Sequence, residues 1–284
     1  MTHRLTTALA GIALLVAATS PALAQSDSAV LADPAAVPGM ATMDRFDGQT
    51  KLATSLSYVG LDSDGFIEDA TALHFDLYGQ YMAAQGFGGY GVVNINYFSA
   101  NDDSETGIGN LEVGGLYLIP GATPIILRGG LVLATADEDD FLPNVYGGIL
   151  ARFNDLPQNF ASTTWLRLSG HPIVRQGNLF FKADVGLDIP IDDDDTGVET
   201  LVRLNVGGGI ETGGVAIIGE LVNVYSTEDS DDQLVNTIAI TARFMQGGQL
   251  QPAVSFVLPL DDEYNDIVDW ILILGLEYVL PTAG

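Results

Sequence analysis

Five basic side chains stand singly inside apolar stretches: Arg128, Arg167, Lys182, Arg203 and Arg243. Five carboxylates are placed in the same way: Glu112, Asp184, Asp188, Glu220 and Glu277. An unpaired charge held away from water is costly, so such groups must pair with one another or face a water-filled passage. Two kinds of chemistry follow. A basic strip opposite acidic residues lines a solute path and orients small anionic or zwitterionic molecules. Alternatively, the charges form an ion-paired plug in a narrow interior that conducts little.

A second constellation is His74 with Asp76, two residues apart and so on one face of an extended strand. Such a pair can activate water for hydrolysis, as in outer-membrane proteases. That chemistry needs a further acidic pair, which spacing does not supply, so a hydrogen-bonded interior histidine is the favoured reading. Ser55, Ser57 and Ser255 carry no nucleophile motif, and His171 before Pro172 reads as a turn. Asp62-Ser63-Asp64-Gly65 resembles the middle of a calcium loop. Gly60 and Thr71 occupy its first and twelfth positions, where Asp and Glu are needed, which favours a solvated turn over a metal site. No cofactor is expected.

The elements that must position these groups show a period of two. Twelve alternating runs are expected at 50–59, 71–83, 89–99, 109–119, 125–136, 163–170, 178–190, 199–210, 214–225, 234–245, 250–260 and 268–280. Most are about twice the length of a common soluble strand. A tilted strand of about ten residues crosses a bilayer. In 178–190, Leu179, Phe181, Ala183, Val185, Leu187 and Ile189 share one face, against Lys182, Asp184, Gly186 and Asp188. Putting the apolar faces on lipid places nine of the ten charges above inside, with His74 and Asp76; the run carrying Glu220 is apolar on both faces, which leaves its side open between interior and lipid.

The connections alternate too. Odd ones carry Asp62, Asp64, Glu68 and Asp69; Asp102, Asp103 and Glu105; Asp137 to Asp140; Asp192 to Asp195; Glu228 to Asp232; and Asp261 to Asp266. Even ones are short and nearly free of acids, as in Thr212-Gly213. A meander sends these to opposite ends, giving the long outer loops and tight inner turns of an outer-membrane barrel. A long third loop over 142–160, with a short helix or an inward fold, keeps the strand count even; ten to fourteen strands is the range.

The chain has 284 residues, with 37 Asp and Glu against 10 Lys and Arg and no cysteine. A net charge of -27 excludes nucleic acid as a partner, and the lack of cysteine excludes a disulfide scaffold. Arg4, the apolar run from Ala8 to Ala18 and Ala22-Leu23-Ala24 read as a signal peptide over 1–24, cleaved on export. Residues 25–48 read as a flexible leader, 49–280 as the barrel and 281–284 as a short tail. The closing run resembles the C-terminal strand by which the barrel assembly machinery recognises outer-membrane proteins. It ends at Leu280 instead of an aromatic residue.

Residues 106–136 contain Gly107-Ile108-Gly109-Asn110, then Gly115 and Tyr117, then Arg128 and Thr135. This stretch resembles the outer-membrane barrel family called MetA-pathway of phenol degradation, with Asn110 where that family has Asp. The resemblance implies a barrel that admits small organic, often aromatic, compounds. Taken together, the sequence points to an all-β transmembrane barrel of about twelve strands in the outer membrane of a Gram-negative bacterium. It would sit in lipid and lipopolysaccharide and act as a porin-like channel for passive diffusion of small solutes. The alternatives are a non-conducting surface barrel working through its acidic loops, and an outer-membrane hydrolase. Oligomeric state is not legible.

Overall fold

A computed structural model of the chain describes residues 35–61, 70–101, 103–191, 199–227, 234–245 and 249–280. The expected signal peptide, the tail 281–284 and the Asp62/Asp64 candidate lie outside these residues, as do the acids of 192–195 and 228–232.

Thirteen strands form one antiparallel sheet: β1 (Lys51–Leu61), β2 (Thr71–Met82), β3 (Phe87–Ala100), β4 (Asp103–Ile108), β5 (Leu111–Ile119), β6 (Ile125–Leu133), β7 (Trp165–Gln176), β8 (Leu179–Pro190), β9 (Leu201–Thr212), β10 (Val215–Ser226), β11 (Leu234–Phe244), β12 (Leu250–Pro259) and β13 (Val268–Val279). β1 pairs with both β2 and β13, so the sheet closes on itself. β4 and β5 pair with successive halves of β3 and count as one stave, interrupted at Gly109–Asn110. The result is a closed barrel of twelve staves, as the sequence pattern predicts.

The strand faces follow from side-chain parity. On β8, Phe181, Val185 and Leu187 are exposed outward, while Lys182, Asp184 and Asp188 are buried inside. On β11, Ile238, Ile240 and Phe244 face out and Thr237, Thr241 and Arg243 face in. The outward faces together carry a band of exposed Leu, Ile, Val and Phe, with aromatic residues toward both rims. Tyr58, Trp270 and Phe256 stack across β1, β13 and β12, with centroids 5.6 and 6.2 Å apart. Phe87 and Tyr117 meet at the opposite rim. An apolar wall between aromatic girdles around a polar interior is the transmembrane barrel arrangement. Among the described residues no helix is long and apolar enough to cross a membrane.

The two ends differ. At one, the turn end, hairpins are tight: Gly86, Gly177, Gly213 and Gly214 take positive φ there, a conformation that favours glycine. The other, the loop end, carries the longer connections. Two sequence expectations need correction. The turn after β7 is at Gly177 instead of 171–177, so His171 lies within a strand and points inward. Pro172 is tolerated because the pairing to β8 skips it. Residues 103–105, expected as loop, form the β4 arm on β3.

Two segments outside the wall fill the barrel. Between β6 and β7 the chain folds inward through short helical turns at 138–140, 143–149 and 153–158. Residues 35–50, the described part of the expected flexible leader, are ordered inside the barrel instead of forming a solvated linker. Gly48 N–H donates to Ala35 O at 3.0 Å, closing the segment into a loop near the turn end. Its middle rises into the lumen, and Met40, Met43, Asp44, Phe46 and Asp47 are buried there.

The ion-paired lumen as candidate functional site

The eleven residues proposed for a solute path all lie on the inward face. Arg128, Arg167, Lys182, Arg203, Arg243, Glu112, Asp184, Glu220, Glu277, His74 and Asp76 are each buried within the barrel. Counting Arg45, Lys51 and Arg152, eight of the ten Lys and Arg of the chain sit in the lumen.

The central cluster is built around Asp44 of the leader. Its Oδ2 accepts from Arg128 Nη1 at 2.7 Å and from Arg203 Nη1 at 2.8 Å; its Oδ1 accepts from Asn154 Nδ2 at 3.0 Å. Lys182 Nζ donates to the carbonyls of Asp44 and Phe46. Arg167 bridges Asp188, Glu112 and Asp155 at 2.9, 2.9 and 3.2 Å, and Arg152 pairs with Asp155 at 2.7 Å. Arg203 reaches Asp184 at 3.1 Å and Asp188 at 3.0 Å, while Arg128 also meets Glu112. Five cations (Arg128, Arg152, Arg167, Lys182, Arg203) therefore face five carboxylates (Asp44, Glu112, Asp155, Asp184, Asp188). Burial alone raises the pKa of Asp44, but the guanidiniums of Arg128 and then Arg203 outweigh it and hold the carboxyl well below its usual range.

Toward the turn end a second group holds the base of the leader. Lys51 lies 3.1 Å from Asp47 and 3.5 Å from Glu277, and Arg243 donates to Gly39 O at 3.1 Å. Glu220 accepts from three successive backbone N–H groups, Ala41, Thr42 and Met43, at 2.7 to 2.9 Å, and from the Thr42 hydroxyl. Consecutive amides around one carboxylate make an anion nest. Phe46 fits among Tyr90, His171 and Tyr78, with ring centroids 4.6, 5.5 and 5.7 Å away, under the guanidinium of Arg128 at 4.7 Å.

The inward segment is tied to both wall and leader. Asn110 accepts at Oδ1 from Thr135 N and Ala136 N, both 2.8 Å, and donates from Nδ2 to Pro157 O and Phe160 O. Asn96 donates to Asn144 and Asn159, and Arg152 donates to Ala41 O. The Gly114 and Gly130 pair leaves a recess on the inner wall that Tyr90 fills, where a Cβ at either position would collide with its ring. The space left beside Asp44, Arg128 and Arg152 is about 20 Å³, room for roughly one water molecule.

His74 and Asp76 are not arranged for hydrolysis. Asp76 accepts from Arg45, at 2.9 Å to Nη2, and from Ser55, while His74 Nδ1 contacts Asn96 at 2.7 Å. His74 Nε2 stands 3.8 Å from Asp76. Asp44, His171 and Asp184 converge closely enough to hold an ion. Arg128 and Arg203 already occupy Asp44, and Lys182 adds a third positive charge, so the field opposes a divalent cation there. Sequence reasoning did not place the leader residues Asp44, Arg45 and Asp47 in the lumen. The charged run Asp44-Arg45-Phe46-Asp47, in a stretch otherwise made mostly of small residues, was the available signal.

No family model matches this chain, and no curated protein matches it. Solved structures do. The COG4313 outer membrane channel from Pseudomonas putida F1 superposes with a TM-score of 0.61 over 90% of this chain and 100% of that one, at 14% identity. The KdgM porin matches with a TM-score of 0.50 over 81% and 99%, at 11% identity, and the NanC porin with 0.50 over 80% and 100%, at 9% identity. At such identities the shared property is the fold. The chain has the barrel architecture of outer-membrane channels and porins.

Proposed function

We propose that the protein is an outer-membrane channel for passive diffusion of small solutes, closed in this conformation by its own leader and inward loop. The observation that carries this reading is that the wall is a complete ring without either filling segment. The described part of the leader, from residue 35, is joined to the wall by side-chain pairs and carries no strand of the ladder. Its withdrawal would open a lumen lined by Arg128, Arg203, Lys182 and Arg243, suited to small anionic or zwitterionic solutes. The likeness to channels and porins supports the same function. Tyr78 and Tyr90 add an aromatic surface, which agrees with the small organic compounds implied by the resemblance to the phenol-degradation family. The Gram-negative outer membrane, export by a cleaved signal peptide, contact with lipopolysaccharide and insertion by the assembly machinery belong to this proposal.

One observation favours a second reading, a surface barrel that does not conduct: the described lumen is filled and its charges are paired. Planar-bilayer recording of refolded protein separates the two, comparing the whole mature chain with a variant lacking residues 35–48. The channel reading expects rare openings from the first and steady, anion-preferring conductance from the second. A folded, heat-modifiable deletion variant that passes no current would leave the surface barrel as the function.

A further inference from the structure

Asp44 sits where a solute would be held. Two wall guanidiniums, Arg128 and Arg203, converge on one carboxylate oxygen at 2.7 and 2.8 Å, and Asn154 of the inward loop meets the other oxygen. The carboxylate belongs to a loop that is no part of the wall. Without Asp44, the five cations of the central cluster face four carboxylates, and one positive charge lacks its counterpart. Arg203 uses Nη1 for both of its carboxylate hydrogen bonds, and its buried Nη2 has no hydrogen-bond acceptor. A tethered aspartate is restricted in how it meets a guanidinium, whereas a free carboxylate can adopt the two-pronged geometry. The small void against Asp44 and Arg128 gives space for a group slightly larger than the aspartate side chain.

We propose that the seat of Asp44 is a binding site for the carboxylate of a small solute, with the leader as its internal competitor. A solute that takes the seat displaces Asp44 and favours the withdrawn leader, so binding and opening are coupled. The proposal rests on the channel reading for the route by which a solute reaches the seat, and its test is chosen to stand apart from that reading.

The test is chemical rescue. Asp44→Ala empties the seat in the full mature barrel, refolded in detergent. Acetate is then compared with chloride at equal ionic strength and with uncharged acetamide. Acetate alone should raise the melting temperature of Asp44→Ala. At about ten times its dissociation constant it should raise the folding constant on the order of tenfold. The effect should vanish in Asp44→Ala/Arg203→Gln. Asp44→Ser, equally short, also leaves the seat empty and allows the same comparison if the alanine variant does not fold. In the unaltered protein, acetate should raise the frequency of channel opening above that in chloride. Acetate acting no differently from chloride on the Asp44 variants would overturn the site, even if the leader-deleted barrel conducts. Rescue in a barrel that never conducts would keep the site and remove the channel.

Discussion

Glu220 holds the leader through backbone amides, and what its removal does follows from that. Three N–H groups and a hydroxyl share one carboxylate, and hydrogen bonds to a charged acceptor are worth about 1.5–3 kcal/mol each in favourable cases. Glu220→Gln keeps the shape but loses the charge. It should speed hydrogen exchange at the amides of 41–43 while leaving the β10 ladder protected. Breaking the central cluster is more severe: Arg203→Ala takes the arginine from Asp184 and leaves Asp44 with Arg128 alone, and removing one partner of a buried pair costs about 3–5 kcal/mol. That variant should expose residues 35–48 to protease in the folded barrel.

Acid tests the same contact. The carboxyl of Asp44 is held below its usual range in the folded state, so its contribution is complete above the unfolded value, about 3.9 for Asp. It is lost only as pH falls through the lowered folded value. Channel opening recorded against pH should stay flat from neutrality to about pH 4 and rise in stronger acid. An opening step between pH 5 and 7 would mean that another group of the cluster, and not Asp44, holds the leader. The inward position of these charges was legible because parity on a strand admits two faces and the apolar one is obvious. Their partners were not, because Asp44 and Asp155 come from segments with no period to read.

Among the elements, the break between β4 and β5 matters most. Gly109 fits against Asn94 and the Gln158 carbonyl, where a Cβ would collide, and Asn110 satisfies four backbone groups of the β6–β7 connection. Asn110→Ala leaves those groups without partners, each worth about 1–3 kcal/mol if it stays dry. The inward segment should then loosen, seen as faster exchange across 153–160 with the barrel intact. The glycine-rich stretch that resembles a family motif thus has a physical reading: it makes room for Tyr90 and anchors the constriction. Strand positions were readable because ten-residue alternation is hard to mimic. The β4 arm was missed because Asp103, Ser104, Glu105 and Thr106 are exposed, so that no apolar face marks the strand. The turn after β7 was misplaced because His171-Pro172 looks like a turn until an inward partner, Ser169 Oγ at 2.8 Å from His171 Nε2, is seen.

For the whole molecule, the distribution of charge decides the surroundings. Arg and Lys are gathered into the lumen, and the outer wall is a band dominated by exposed Leu, Ile, Val and Phe. If lipid covers that band, the penalty for a new charge must depend on depth. Val185→Lys, outward at mid-strand on β8, should cost about 2–4 kcal/mol, and Ile210→Lys, near the turn end of β9, about 0–1. Urea titration of refolding into liposomes reads the difference directly. Equal penalties would mean that the band does not lie in a bilayer. The twelve-stave ring was legible from parity and from the alternation of loop lengths. The leader's share in filling the interior was not, since only the charged run beginning at Asp44 interrupts a Pro- and Ala-rich stretch that otherwise reads as a linker.

The meeting of Ala35 and Gly48 near the turn end has a topological consequence. Within residues 35–50 both ends of the loop lie at the turn end, so this segment does not run through the barrel from mouth to mouth. Residues 35–50 can therefore leave as a preformed hairpin and return by the same way, with no reptation of that segment through a narrow bore. A threaded tail would have to be in place before the β1–β13 seam closes, and once lost could not readily return. A loop that enters and leaves by one mouth can be exchanged many times in the life of a finished barrel.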